Sequence, residues 1–283
     1  MEPVPERKKR DDVYRIEFGK YEPSEVAAGQ KEARPQEQLR ITMANFKVVN
    51  RLFSGKTDLI KRQCEYFWSH ETALADVNAY QNGTPNYDYA EHTKWIKAKT
   101  CFTNWEDHSF AKSENALIIG NRSSFDVVQY PDNPERAGMS MIHLLAIPKA
   151  RLFNGVSLNA DNVSIIDEMI SLFKSSWADP IFRRTVLMQQ WFTIGQQNEA
   201  RPDMQAYKTA MKHYGELSDK INQLTVDDFT FGLHLWPDNS VGHLHLHILA
   251  TPDWCRQYST FAHDEKTKDA IEVRDYILNS SEA

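Results

Sequence analysis

Three histidines alternate with aliphatic residues in the segment His243-Leu244-His245-Leu246-His247. Successive side chains of a β-strand point to opposite faces, so this alternation predicts a strand over residues 242–251. Its aliphatic side chains would face a core, and all three imidazoles would share the other face. A single buried histidine is commonly structural, but burying a whole face of imidazoles costs more desolvation free energy than burying apolar side chains. We therefore expect these histidines to carry chemistry.

Two kinds of chemistry suit three histidines at this spacing. The first is a metal site, since His-x-His on a strand can supply two ligands to zinc or copper. Positions i and i+4 of a strand lie about 13 Å apart, whereas Zn–N bonds are about 2.1 Å long. One ion therefore cannot bind all three, although two could bind it with a ligand from elsewhere.

The second chemistry is nucleophilic catalysis. A neutral imidazole, with a pKa of about 6.5 in a free chain, attacks phosphorus near pH 7. The central residue, His245, would attack, and its neighbours would orient it and hold protons. The outer histidines then contact different parts of a substrate, so the spacing favours catalysis over a metal site.

The segment His243–Leu249 resembles the signature of the histidine-triad (HIT) superfamily, His-φ-His-φ-His-φ-φ, in which φ is an apolar residue. A second segment, Met141–Lys149, looks like the other signature strand of the family, with His143 followed by aliphatic residues and Pro-Lys. In the family this histidine lies close to the triad. A third match is Ser240, which stands where the nucleotide hydrolases carry a serine that contacts the phosphate or the leaving group. The resemblance covers roughly residues 114–252.

The resemblance implies a hydrolase that acts on a nucleotide phosphoramidate, a dinucleoside polyphosphate or a cap-like nucleotide. His245 would attack the α-phosphorus, and water would cleave the nucleotidyl-histidine intermediate. His243 and His247 would orient the nucleophile and stabilise charge on the phosphoryl group. The resemblance implies no metal or cofactor, and it is compatible with a homodimer. Two alternatives stay open: a scaffold recruited to small-molecule metabolism on a non-nucleotide substrate, and a nucleotide-binding module with little activity.

Further residues are candidates for substrate binding. His234 belongs to a segment, Gly232–Pro237, that looks like scavenger decapping enzymes, and the strand alternation puts His234 either on the catalytic face or in solvent near a turn. Arg151 either contacts phosphate or lies on the surface. The region that holds the ribose in small nucleotide hydrolases departs from the family pattern, and it offers only Asp132. Asn239, which directly precedes Ser240, is a further candidate for substrate binding.

The pattern along the chain predicts an α+β fold, a mainly antiparallel HIT-like sheet flanked by helices and preceded by an N-terminal helical extension. We expect a mobile or surface-draped arm over 1–40, the helical extension over 41–113 and the catalytic domain over 114–283. The extension is expected to pack on that domain rather than to form a separate lobe. Strands are predicted at 116–119, 125–130, 139–147, 228–235 and 242–251. Helices are predicted at 89–98, 161–176, 180–224 (with breaks near Gly195 and Pro202) and 266–278.

Composition excludes several classes of protein. The net charge of −6 disfavours bulk binding to nucleic acid and leaves room for a local basic pocket. The three cysteines, Cys64, Cys101 and Cys255, are too few and too scattered for a disulfide framework. We expect no secretory signal and no membrane partner. A cytoplasmic protein is predicted, and the basic residues 7–10 leave a nuclear location open.

Overall fold

A computed structural model describes residues 52–82, 108–121, 138–239, 241–256 and 262–281. Several predictions fall outside these ranges. They are the arm over 1–40, the basic cluster over 7–10, the helix over 89–98, the strand over 125–130, and the two site candidates Asp132 and Ser240.

Six strands of the described residues form one antiparallel sheet in the order β1-β2-β3-β5-β4-β6. They are β1 Ala111–Lys112, β2 Ala116–Gly120, β3 His143–Pro148, β4 Phe229–His234, β5 Leu246–Ala250 and β6 Thr267–Asp269. The prediction of an α+β fold with a mainly antiparallel sheet is confirmed.

Eight helices of the described residues accompany this sheet. Their bounds are α1 Thr57–Trp68, α2 Glu71–Asn82, α3 Ile165–Trp177, α4 Pro180–Ala200, α5 Met204–Lys220, α6 Asp253–Arg256, α7 Ala262–Lys266 and α8 Ala270–Ser281. Short 3-10 turns lie at Gly155–Ser157, Ile221–Gln223 and Val226–Asp228. Among the ranges that the structure describes, no helix has both the length and the apolarity needed to cross a bilayer.

The predicted helix over 180–224 is interrupted at Pro202 but not at Gly195. Proline has no N–H to continue a helix, and Asp203 caps the next one by accepting hydrogen bonds from the N–H groups of Gln205 and Ala206, both at 2.9 Å. Gly195 lies inside α4, because one glycine weakens a helix without breaking it. The closing helix begins at Ala270 instead of residue 266, since residues 267–269 pair with β4 as β6.

The strand predicted over 242–251 is shorter than expected. β5 comprises only Leu246–Ala250, so His243 and His245 precede it in irregular backbone. The Leu244 N–H donates to the Leu152 carbonyl at 2.7 Å, outside the ladder that β5 forms with β3. The strand predicted over 139–147 begins likewise only at His143, because the Met141 N–H donates to the Cys255 carbonyl. Neither shortening moves the aliphatic residues out of the core.

One hydrophobic core joins the sheet to the helices on its aliphatic face. Leu144, Leu246 and Ile248 of the sheet pack in this core. The helical extension contributes to the same core, and the ring of Phe67 on α1 stacks 6.1 Å from Phe153 between ring centroids. The described helices of the extension therefore pack on the part of the chain that carries the histidines.

Candidate active site

Strand pairing gathers histidines from three strands around His247. His247 lies opposite Leu145 of β3 and Gly232 of β4, and residues that face each other across antiparallel strands share one face. Alternation then places His143 and His234 on that face as well. The His143 and His234 ring centroids lie 5.1 Å and 4.1 Å from that of His247. The structure thus brings His143 to the three histidines of the triad segment, and it places His234 on the same face as His247, buried rather than in solvent.

The ring of His245 has a defined tautomer. Its Nδ1 lies 2.7 Å from the carbonyl oxygen of His243. A carbonyl oxygen can only accept a hydrogen bond, so Nδ1 carries the hydrogen and donates it. In the neutral ring the lone pair is therefore on Nε2. The side chain is buried, and its ring lies 4.8 Å from that of His247.

His247 ends a chain of hydrogen bonds that begins at Asn121. The side-chain amide of Asn121 donates to Nδ1 of His143 at 3.2 Å and lies at a longer distance, 3.4 Å, from Nε2. His143 then carries its hydrogen on Nε2 and donates it to Nδ1 of His247 at 2.8 Å. The hydrogen of His247 is consequently on Nε2. That atom is buried and has no hydrogen-bond partner among the described residues.

His243 is held at both ring nitrogens. Its Nε2 lies 2.9 Å from the carbonyl oxygen of Pro148, at the end of β3. Its Nδ1 forms a hydrogen bond with the hydroxyl of Tyr80, on α2 of the helical extension. Although His243 lies outside the strand, its side chain is thus fixed by β3 on one side and by the extension on the other.

Burial keeps the imidazoles neutral. It lowers the pKa of His143 to about 3 and that of His243 to about 4, and it is also the largest cause of the lowered pKa values of His234, His245 and His247. The principal charges acting on these rings are cationic or come from other histidines, which lowers their pKa values further. At neutral pH the site is a set of uncharged rings.

Three basic residues supply positive charge beside these rings: Lys266, Arg151 and Arg256, the last of which adds to the effect of burial in lowering the pKa of His143. Lys266, buried at the end of α7, lowers the pKa values of His234, His245 and His247. Arg151 is exposed, as one of its two sequence interpretations proposed, and it still lowers the pKa of His243. A positive potential over neutral imidazoles favours an anionic ligand such as a phosphoryl group.

Sequence reasoning missed five residues near the rings: Tyr80, Asn121, His263, Lys266 and Thr267. The ring of His263 stacks 5.9 Å from that of His234. The Thr267 hydroxyl donates to the His263 carbonyl at 2.5 Å and accepts from Nε2 of His234 at 2.9 Å. None of these residues belongs to a local motif. Only a contact map across the sheet would have identified them.

Asn239, Asp132 and Ser240 are the remaining residues that the sequence nominated for the site. Asn239 is fully buried, and its amide donates to the Val241 carbonyl at 3.0 Å, so it shapes the turn before the triad. Asp132 and Ser240 lie outside the described residues.

In the described ranges, no three His, Cys, Asp or Glu residues are grouped so that they could hold a metal ion. The hydrogen bond between Nε2 of His143 and Nδ1 of His247 occupies two of the ring nitrogens that a metal ion bridging these residues would need.

Comparison with known proteins adds no assignment. A scan against protein-family models finds no match to this chain, and no curated protein matches it.

Proposed function

We propose that this protein is a histidine-triad-type hydrolase that breaks a phosphoramidate or phosphoanhydride bond at the α-phosphorus of a nucleotide. The observation that carries the proposal is the hydrogen bond from Nδ1 of His245 to the His243 carbonyl, because it leaves the lone pair on Nε2. A neutral imidazole with a fixed lone pair is a nucleophile that needs no further deprotonation. The HIT-like signature around His245 supports the same role.

The first step follows from the two fixed tautomers. Nε2 of His245 attacks the α-phosphorus, and a bond between nitrogen and phosphorus forms. The bond between phosphorus and the leaving group breaks, and its electron pair departs with that group; an amine leaving group takes up a proton from solvent as it departs. The Nε2–H of His247, which has no other partner among the described residues, donates a hydrogen bond to the oxygen or nitrogen that gains this charge. Lys266 adds positive charge nearby.

The second step restores the enzyme. Water attacks the phosphorus of the nucleotidyl-histidine, and the electron pair of the broken bond returns to Nε2 of His245. The proton that the water loses passes to solvent. The hydrogen bond from Nδ1 to the His243 carbonyl persists through both steps, and it stabilises the positive charge on the ring in the intermediate.

The proposal is tested with the full chain and a panel of adenosine and guanosine phosphoramidates, dinucleoside polyphosphates and cap analogues. We expect turnover of at least one class, and a loss of at least about 1,000-fold in kcat for His245→Ala. His213→Gln, a buried histidine of α5, is the matched control and should retain activity. Denaturing quench at alkaline pH followed by intact mass measurement should show one added nucleotidyl group, absent in His245→Ala.

Three results would contradict this function. Neither turnover nor binding across the panel would favour a non-nucleotide substrate on the same scaffold. Binding without turnover would favour a nucleotide-binding module. Stoichiometric zinc in the purified protein, with activity lost on chelation, would favour a metal site built on two of the histidines.

A further inference from the structure

We propose that Tyr80, on the helical extension, is a positioning residue of the active site, whose hydroxyl holds the His243 ring in one tautomer and one orientation beside the nucleophile His245. The anchoring of His243 stands by itself, and the expected kinetic effect rests on the proposed function.

Tyr80 contacts His243 although the two residues are far apart in the sequence. Its side chain is only 2% exposed, and its hydroxyl forms a hydrogen bond with Nδ1 of His243, 163 positions along the chain. The two rings meet edge to face, with centroids 6.0 Å apart and an interplanar angle of 82°. The ring of Phe153 also packs against the tyrosine, with ring centroids 6.4 Å apart. The phenol is therefore held in place by aromatic packing.

The direction of this hydrogen bond follows from the other nitrogen of the same ring. The Pro148 carbonyl can only accept, so Nε2 of His243 carries the hydrogen and donates it at 2.9 Å. Nδ1 of the neutral ring then holds a lone pair, and the Tyr80 hydroxyl is the donor. If the hydroxyl were removed, this buried nitrogen would lose that donor and its tautomer would be less strongly defined.

The position of His243 makes this anchor matter for the nucleophile. His243 precedes β5, so the hydrogen bonds of the strand ladder do not hold its backbone. Its side chain is held instead, by Pro148 and Tyr80, and its carbonyl accepts the hydrogen bond from Nδ1 of His245 at 2.7 Å. The peptide group that contains this carbonyl is fixed separately, because the Leu244 N–H donates to the Leu152 carbonyl at 2.7 Å. Tyr80 therefore acts on the His243 ring, which under the proposed function orients the nucleophile and stabilises charge on the phosphoryl group.

The helical extension is consequently part of the catalytic apparatus. α1 packs through Phe67 on Phe153 and Trp236, with ring centroids 6.1 Å and 5.7 Å apart. α2 follows α1 after only two residues and carries Tyr80 in its last turns. Because α1 is packed against Phe153 and Trp236, α2 is placed so that the Tyr80 hydroxyl contacts His243.

Tyr80→Phe in the full chain tests the inference, because it removes the hydroxyl and keeps the ring. Tyr276→Phe, a partly buried tyrosine of α8, is the matched control. In protein labelled with ¹⁵N-histidine, the His243 signals are identified by their loss in His243→Gln. We expect the wild-type Nδ1 to resonate as an accepting nitrogen, and Tyr80→Phe to move it towards the position of a ring nitrogen without a hydrogen bond. We also expect kcat to fall about 10-fold, with KM within about twofold of the wild type.

The outcomes separate this inference from the proposed function. An unchanged His243 signal in folded Tyr80→Phe would overturn the inference whatever the activity. A wild-type spectrum in which His243 carries its hydrogen on Nδ1 would also overturn it, and this measurement needs no variant of Tyr80. A moved signal with an unchanged kcat would overturn the link between the His243 ring and catalysis. A moved signal in a protein without turnover on any substrate supports the anchor and contradicts the proposed function instead.

Discussion

His243, His245 and His247 have near-identical neighbours in sequence, yet their ring nitrogens meet different partners. The Nδ1 of His245 donates to a backbone carbonyl, the Nδ1 of His247 accepts from His143, and the Nδ1 of His243 accepts from a phenol. These partners place a lone pair on Nε2 of His245 and a hydrogen on Nε2 of His247. At the scale of the residue, the partner of one nitrogen therefore decides the chemistry of the other.

Lys266 is predicted to set the pH range of the nucleophile. Burial and Lys266 both lower the pKa of His245 below its usual value of 6.5. Because kcat/KM reports the free enzyme, its acid limb should lie below pH 6.5 in the wild type. Lys266→Gln removes a positive charge and should move that limb to higher pH, whereas Lys61→Gln on the exposed side of α1 should not. An acid limb that stays in place, or moves to lower pH, would show that Lys266 does not act on His245.

Asn121 is predicted to act on the leaving group through two histidines. Its amide donates to His143, which fixes the hydrogen that His143 donates to His247. Asn121→Ala frees both rings to exchange tautomers, and we expect kcat to fall about 10-fold, the equivalent of one hydrogen bond. KM should change less. Asn115→Ala, on a residue whose amide binds Glu168 at the surface, is a control that should retain the wild-type kcat. Equal values of kcat for Asn121→Ala and the wild type would exclude the relay.

At the scale of the element, the sheet brings the histidines together. Gly232, which has no side chain, leaves space for the residue that covers their face. Gly232 shares the face of His247, and Phe53 packs on it from the extension side of the chain. A Cβ on Gly232 would lie 2.6 Å from Cδ2 of Phe53, well inside van der Waals contact. Since Phe53 is fully buried, it has little space in which to move.

Gly232→Ala is predicted to destabilise the protein by about 1–3 kcal/mol, the usual effect of overpacking a core. Gly215→Ala is the matched control, because its Cβ would meet nothing within 4 Å on α5. That control should stabilise the protein by about 0.5–1 kcal/mol, since alanine favours a helix over glycine. Urea unfolding measures both. A Gly232→Ala protein as stable as the wild type would mean that Phe53 does not close this face.

At the scale of the whole molecule, the buried histidines should make stability depend on pH. His143, His234, His243, His245 and His247 all have pKa values below 6.5 in the folded protein. Below pH 6.5 the unfolded chain binds protons that the folded protein does not, so the free energy of unfolding falls as the pH falls. Each histidine adds a slope of at most about 1.4 kcal/mol per pH unit until its own folded pKa is reached.

We therefore predict that the midpoint of urea unfolding decreases steeply between pH 6.5 and about pH 4, the pKa of folded His243. His247→Gln replaces one of these groups with a side chain that does not titrate, so its slope should be shallower over the same interval. A midpoint that is constant over this interval would mean that the rings are protonated in the folded protein. Neutral imidazoles, and with them the lone pair on His245, would then be excluded.

The sequence alone predicted more of the fold than of the candidate site. The α+β class, the antiparallel sheet and the aliphatic face of the triad strand follow from local alternation, and the structure shows all three. The strand bounds were longer than observed, because hydrogen bonds to distant groups, such as that from Leu244 to Leu152, end the ladder before the alternation stops. The start of α8 was likewise displaced by the pairing of Thr267 with His234.

By itself, the sequence determined which residues lie on the same side of a strand, since alternation depends only on the geometry of neighbouring peptide units. This was enough to nominate His245, and the resemblance added His143. Only the tertiary structure decided that His234 faces the triad, that Asn121 and Tyr80 assign the tautomers of His143 and His243, and that Lys266 lies beside them. The physical reason is that a hydrogen bond or a charge acts across a few ångströms of space, whichever strands or helices deliver the two groups. Which elements pack side by side is a property of the whole core.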